Sequence, residues 1–162
     1  MRIGIGYDSH RFASGRRLVL AGVEVPHTLG LAGHSDADVV AHAVTDAVLG
    51  AAALGDIGQH FPPSDPRWKD ADSLELLRRA VELAAAAGYC VGNVDVTLVA
   101  EAPRVGPHIP AMREKLGLTL GTGPAGVSIK GKTNEGMGWI GRGEGIAAVA
   151  VALLDSLKEP RR

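Results

Sequence analysis

The sequence predicts an α/β sandwich: a single domain built on one β-sheet with helices on one face. Three observations carry this. Runs with the two-residue period of strands alternate along the chain with runs of helical period. Gly and Pro supply 22 and 9 of the 162 residues, which interrupts the chain too often for a long helical bundle. Apolar residues make up 46% but aromatics only 4%, so the core has to be Val, Leu, Ile and above all Ala. A chain of this length corresponds to one domain and buries about 70% of the surface its unfolded form exposes.

Ile3, Ile5 and Tyr7 alternate with Gly4, Gly6 and Asp8, the pattern of a strand. Residues 17–25 hold two short β-like runs around Gly22. A helix is predicted from Asp36 to about Ala53, with Ser35 as N-cap, Ser35 and Asp38 at capping-box spacing, and Gly55 beyond its end. Residues 56–70 carry three prolines and several Asp and predict a long loop, a kind of segment that is usually functional or disordered. A second helix follows over Ser73 to Ala87, with Leu74, Leu77, Val81 and Ala84 on one face and Gly88 at its end. Val94, Val96, Leu98 and Ala100 alternate with Asp95, Thr97 and Glu101 in a half-buried strand. A short third helix is predicted over Pro107 to Leu116, closed by Gly117, then a strand over Val127 to Thr133. Ile146 to Leu154 is apolar on every phase; Val149, Val151 and the Gly-rich segment before it favour a strand. A sheet with a second apolar face needs a cover, and with so little chain left over, self-association is the natural one.

Several function classes are excluded. Seventeen Lys and Arg against 18 Asp and Glu leave a net charge of -1, so no basic field exists to hold nucleic acid, and few aromatics are present to stack bases. Cys90 is the only cysteine, which rules out an internal disulfide and points to a reducing compartment, the cytoplasm. The opening MRIGIGYDSH lacks the apolar core of a signal peptide. The longest apolar run, Ile146 to Leu154, is far short of the roughly 18 residues a membrane span needs.

Asp8 and His10, two apart on a strand, point to the same side as Gly4 and Gly6. Asp-x-His suits a metal ion, and equally a polar strand end near solvent. On a helical wheel of about 100° per residue, Asp38, His42 and Asp46 form one polar stripe opposite Val40, Val44, Ala47, Val48 and Ala51. That stripe reads as a solvated face for either Asp alone. It fits His42 less well, because no long charged side chain shares the stripe. Asp8, His10 and His42 would together make three ligands with an open fourth position, the arrangement of a catalytic zinc, with an Asp of the stripe orienting the imidazole. His34, Ser35 and Asp36 stand at the helix entrance, where backbone N–H groups suit a phosphate; His34 is otherwise a loop residue beside a cap. Lys130, Lys132, Thr133 and Glu135 lack the glycine spacing of a Walker loop. They could bind phosphate and a hard cation, or form a flexible turn.

Four segments in order, GIGYDSHRF, AGHSDADVVAHAVTDAVLGAAALGDIGQHFP, NVDVTLVAEAPRVGPHIPAMR and TNEGMGWIGRGEGIAAVAVALL, resemble the 2-C-methyl-D-erythritol 2,4-cyclodiphosphate synthase family from Met1 to about Leu157. The resemblance implies one mixed β-sheet with helices on one face, packed around a threefold axis in a homotrimer with active sites between subunits. It implies the substrate 4-diphosphocytidyl-2-C-methyl-D-erythritol 2-phosphate, cyclised with loss of CMP in the non-mevalonate isoprenoid pathway. It puts zinc, or another divalent transition metal, on Asp8, His10 and His42. It gives transition-state stabilisation to His34 and Thr133, and substrate binding to Ser35 beside His34. Asp56, Ile57 and Gly58, with Phe61, Pro62, Pro63, Ser64 and Asp65, would surround the methylerythritol. Ala100, Glu101, Ala102, Pro103, Arg104, Val105 and Gly106, with Lys132, Thr133, Asn134 and Glu135, would form the cytidine and diphosphate pocket. Glu135 would carry Mg²⁺ or Mn²⁺, and Trp139 and Arg142 would lie near the substrate. Arg142 and Glu144 would line one end of a central channel able to hold an isoprenoid diphosphate. Pro63, Lys132 and Trp139 depart from the residues usual in the family at those positions. The competing readings are a zinc-dependent phosphoesterase and a non-enzymatic trimer that binds zinc or isoprenoid diphosphate.

Overall fold

The computed structural model describes residues 1–157. Strands β1 (Arg2–Ala13), β2 (Val19–Leu20), β3 (Val23–Glu24) and β4 (Gly30–Leu31) precede helix α1 (Val39–Ala51). Then come α2 (Ile57–His60), α3 (Ser73–Ala86), β5 (Tyr89–Val99), α4 (Ile109–Leu120), β6 (Val127–Lys132), α5 (Gly138–Gly141) and β7 (Gly145–Ser156). Five strands form one mixed sheet in the order β4-β1-β7-β5-β6, and β2 pairs with β3 alone. All neighbours in the large sheet are antiparallel except β5 and β6. The apolar run at 146–154 is therefore the central strand, as its β-branched residues indicate.

One face of the sheet is covered. Ala148, Ala150, Ala152 and Leu154 of β7 and Val94, Val96 and Leu98 of β5 are buried beneath α1, α3 and α4. The opposite face is open: Ile3, Ile5 and Tyr7 are 72%, 69% and 57% exposed, and Val151 is 40% exposed.

Five expectations are corrected. The first helix begins at Val39, not Asp36, because Ala37 has a φ of 60°, in the left-handed region that ends regular helix. Its N-cap is Asp38, whose Oδ1 accepts the N–H groups of Val40 and Ala41; Ser35 Oγ instead accepts the Ala37 N–H in the preceding turn. The third helix does not stop at Gly117. A Cβ there would lie 2.3 Å from the Gly123 backbone, so Gly117 is a contact point inside α4, and Gly121, at φ 75°, closes the helix. Residues 56–70 are not unstructured: Asp56 caps α2 and Asp65 caps a 3₁₀ turn over Pro66–Trp68. On α3 the buried stripe runs through Leu76, Leu77, Ala80 and Ala84, leaving Leu74 and Val81 partly buried.

Candidate functional site

The site begins with two glycines. A Cβ on Gly4 would lie 2.0 Å from the Ala47 carbonyl oxygen, and one on Gly6 2.0 Å from that of Ala43. Only residues without a side chain let α1 approach β1 this closely. The strand's alternation then points Asp8 and His10 toward the same helix, one turn nearer its N-terminus, where His42 stands.

His42 Nδ1 and His10 Nε2 each lie 2.9 Å from Asp8 Oδ2, and the two ring nitrogens are 3.2 Å apart. Among the described residues, this is the one group of three His, Cys, Asp or Glu side chains with ligand atoms within 4.8 Å of one another. Burial raises the Asp8 carboxyl, but hydrogen bonds and the charges of His10 and His42 outweigh it and hold the group well below its ordinary value. Burial disfavours a charged His42, yet Asp8, Asp38 and Asp36 raise it above the usual histidine value. The corner thus favours a positive charge among its three donor atoms. Donors bound at about 2.0–2.2 Å to one tetrahedral ion lie roughly 3.3–3.6 Å apart, so the triad fits a divalent transition metal after a shift of a few tenths of an ångström.

The far side of the His42 ring is not in solvent. Nε2 lies 2.9 Å from Ser73 Oγ, at the start of α3, and 3.1 Å from Ser35 Oγ. Ser73 Oγ in turn donates to Asp36 Oδ1. No aspartate of the predicted stripe orients the ring. Asp38 is fully buried, and its carboxylate accepts four backbone N–H groups, from Ala21, Gly22, Val40 and Ala41. Asp38 therefore ties the β2–β3 turn to α1. Asp46 Oδ1 accepts the Ile57 N–H at 2.8 Å and anchors the segment that follows α1.

The other predicted residues fall into three groups. His34 is exposed on the turn before α1 and its carbonyl accepts the Asp70 N–H; Ser35 is buried against His42. In the 56–65 segment, Asp56 is exposed and bonded to Gln59, while Phe61 is buried edge-on to Trp68. Ile57 and Pro62 are half-buried, Gly58, Pro63 and Ser64 are exposed, and Asp65 pairs with Arg67 at 2.6 Å. A cavity of about 440 Å³ brings together Ala100, Glu101, Pro103, Arg104, Val105 and Gly106 with Lys132 and Thr133. Ala102, Asn134 and Glu135 are not in its wall. Asn134 and Gly136 donate their N–H groups to Glu101 Oε1, which staples the two halves of this region. Thr133 Oγ1 donates to Glu135 Oε1 at 2.8 Å. Trp139 is half-buried in α5, and Arg142 is exposed and paired with Glu144 at 2.6 Å.

Sequence reasoning missed Ser73 and the position of Asp36 behind it. The only local signal was a small polar residue opening a helix, a common feature of helix starts with no ligand in view.

The chain is similar in sequence and fold to known proteins. The YgbB family model matches residues 1–155. The 2-C-methyl-D-erythritol 2,4-cyclodiphosphate synthase of Symbiobacterium thermophilum is 62% identical over 154 residues, covering 95% of this chain and 98% of that protein. Among solved structures, the bifunctional IspDF from Campylobacter jejuni superposes with a TM-score of 0.92 at 40% identity, over 96% of this chain and 42% of that one. A 2C-methyl-D-erythritol-2,4-cyclodiphosphate synthase solved with CDP has a TM-score of 0.87 at 40% identity, over 95% of this chain and all of that one.

Proposed function

This chain belongs to the YgbB family, together with the 2-C-methyl-D-erythritol 2,4-cyclodiphosphate synthases, and on that premise we propose that it catalyses their reaction. The substrate is 4-diphosphocytidyl-2-C-methyl-D-erythritol 2-phosphate. An oxygen of the 2-phosphate bonds to the β-phosphorus, the bond from that phosphorus to the bridging oxygen breaks, and CMP leaves with that oxygen. The product is the 2,4-cyclodiphosphate of the non-mevalonate isoprenoid pathway. The observation that carries the reading is the convergence of Asp8, His10 and His42 donor atoms beside a helix entrance.

The reaction adds no water, so the chain's task is alignment and charge neutralisation of two anions that repel each other. A divalent transition metal, zinc in this reading, held by Asp8, His10 and His42, and Mg²⁺ or Mn²⁺ held through Glu135, would supply Lewis acidity and neutralise phosphate oxygens. His34 and Thr133 stabilise the transferring phosphoryl group in the transition state, and Ser35 helps to hold the substrate. Asp56, Ile57, Gly58 and the Phe61–Asp65 segment enclose the methylerythritol. The cavity between the Ala100–Gly106 stretch and Lys132 takes the cytidine diphosphate, read mainly by backbone groups; a CDP complex is known for a structural neighbour. Trp139 and Arg142 border the substrate.

The open apolar face of Ile3, Ile5, Tyr7 and Val151 supports self-association, in this reading a homotrimer with sites between subunits; Arg142 and Glu144, exposed and paired with each other, would line one end of its channel for an isoprenoid diphosphate. No helix among the described residues is long and apolar enough to cross a membrane; the cytoplasm is proposed on the lone Cys90, which suits a reducing compartment. Phosphorus NMR of the protein with substrate, Zn²⁺ and Mg²⁺ tests the function. Two coupled ring-phosphate signals with equimolar CMP are expected. Inorganic phosphate would make it a phosphoesterase, and an unchanged substrate in the zinc-loaded protein would leave a binding module.

A further inference from the structure

Glu101 stands in the wall of the cavity beside Lys132, yet its carboxylate is turned onto backbone. Oε1 accepts the N–H of Asn134 at 2.8 Å and that of Gly136 at 3.2 Å. Both groups belong to a tight turn that follows β6. The Met137 N–H donates to the Asn134 carbonyl at 2.9 Å and closes it. The two central residues, Glu135 and Gly136, have φ of 52° and 73°. Positive φ at both central positions is the pattern of a type I′ turn, which asparagine and glycine fill readily and glutamate does not.

We infer that Glu101 is a positioning residue: its carboxylate holds Glu135 in the left-handed conformation and so keeps the Glu135 carboxylate beside the Thr133 hydroxyl in the cavity wall. A residue with a Cβ is strained at positive φ, because the Cβ crowds the carbonyl oxygen that follows. The bonds inside the turn do not impose that strain. Met137 N–H to the Asn134 carbonyl, and Asn134 Nδ2 to the Met137 carbonyl at 2.8 Å, join the two ends to each other. A type I turn, with both central residues at negative φ, has the same closing bond. What singles out the observed form is the convergence of the N–H groups on either side of Glu135 upon one oxygen. Bonds to an ionised carboxylate are among the strongest that backbone N–H groups make, and here a single oxygen takes two. Gly136 is held from its other side as well. A Cβ on Gly141 of α5 would lie 2.0 Å from the Gly136 carbonyl carbon, so that peptide has no room to swing toward α5.

The conformation matters because Thr133 Oγ1 donates to Glu135 Oε1 at 2.8 Å. Turning Glu135 to negative φ would redirect its Cα–Cβ bond and part the two side chains. The clamp also has a fixed base. The N–H of Ala100, the residue before Glu101, donates to the Lys132 carbonyl at 2.9 Å. The end of β6 and the start of the 100–106 loop are therefore one frame, and Glu101 hangs the turn from it.

This role deepens the proposed reading of the cavity, and only its ligand arm rests on that reading. Amide hydrogen exchange of the ligand-free protein, followed by NMR, reads the clamp without metal or nucleotide. The Asn134 and Gly136 amides should be protected in the wild type. Glu101→Ala should speed their exchange about 10–100-fold, while the Ala100 amide keeps its protection. Glu101→Gln, whose side-chain oxygen can still accept both N–H groups, should retain most of it. Calorimetric titration with CDP and Mg²⁺ reads the consequence. Glu101→Ala should bind about 10-fold more weakly, and Glu101→Gln should recover most of that loss. Unprotected Asn134 and Gly136 amides in the wild type overturn the inference, and that measurement decides even if Glu101→Ala fails to fold. An equal loss of protection at Ala100 overturns it too, because the whole loop would then have loosened. So does Glu101→Ala with both amides released and CDP affinity unchanged. Glu101→Gln that protects both amides yet binds CDP as weakly as Glu101→Ala also defeats it, since the charge would then act on the ligand itself. A wild type that shows the expected amide pattern and binds no CDP would defeat the proposed function and still uphold the clamp.

Discussion

Asp8, His10 and His42 come from a twelve-residue strand and a thirteen-residue helix, whereas the cavity beside Lys132 is walled by the 100–106 loop and the end of a short strand. The first region is half-buried and its polar atoms are bonded front and back: Asp8 in front of His42, Ser73 and Ser35 behind it. In the second, Arg104, Lys132, Thr133 and Glu135 are exposed and the bonds run mostly to backbone, as from Asn134 and Gly136 to Glu101. Three ligand atoms must be held within a few tenths of an ångström, which packed elements can do and loops cannot. On the proposed reading, a nucleotide held there by backbone groups would ask less of side-chain identity, so Lys132 could stand at its position without harm to the proposed metal corner.

His42→Ala should break the contrast most severely. It should abolish bound zinc and turnover while circular dichroism shows a folded protein, since His42 is not part of the apolar core. Turnover at the wild-type rate would end the zinc assignment. Glu135→Gln, on the exposed side, should keep zinc by metal analysis and lose the response of turnover to added Mg²⁺; an unchanged Mg²⁺ response would move the second cation elsewhere. Next come two glycines with opposite expectations. Gly6→Ala forces a Cβ into the Ala43 carbonyl and should cost about 3 kcal/mol. That is roughly 6–12 °C in Tm, with weaker Zn²⁺ binding as α1 lifts from β1. Gly50→Ala, on the exposed side of α1 with no atom nearer than 4.0 Å, should instead stabilise by about 0.5–1 kcal/mol. Opposite signs failing to appear in thermal melts would mean that the close approach does not position the site.

The smallest effect is a pH dependence of the metal-free protein. His42 is raised above 6.5, so its contribution to stability is complete below 6.5 and is lost as pH rises through the raised value. Asp8 is lowered below 3.8, so its share is present above 3.8 and lost as pH falls through the depressed value. Burial pushes Asp38 up to about 6 against its backbone donors, so its ionisation removes stability between 3.8 and about 6. Metal-free melting temperatures should therefore fall from about pH 6.5 upward. Zn²⁺, which binds the neutral ring, should abolish that fall. A flat metal-free profile would show that His42 carries no excess charge there.

Much of the architecture was legible locally. The alternation of β1, the period of α3 and the β-branched run of β7 each reflect which side of an element meets the core, and that is written in neighbouring residues. The triad was legible for the same reason: Asp8 and His10 share the glycine face of β1, and His42 stands on the polar side of α1. Asp38 misled because its wheel position assumed a helix that Ala37, at φ 60°, does not allow to begin there.

The sequence by itself determined the alternating layers, the glycine path along β1 and the three residues suited to a metal. Tertiary structure alone decided that Asp38 is a buried tie between a turn and a helix, that the 56–70 segment folds into two capped turns, and that Ser73 and Asp36 stand behind His42. Periodicity specifies a direction from an element's own axis. A hydrogen bond between residues 31 or 37 positions apart depends on how α1, α3 and the turns between them pack, and no local pattern encodes that distance.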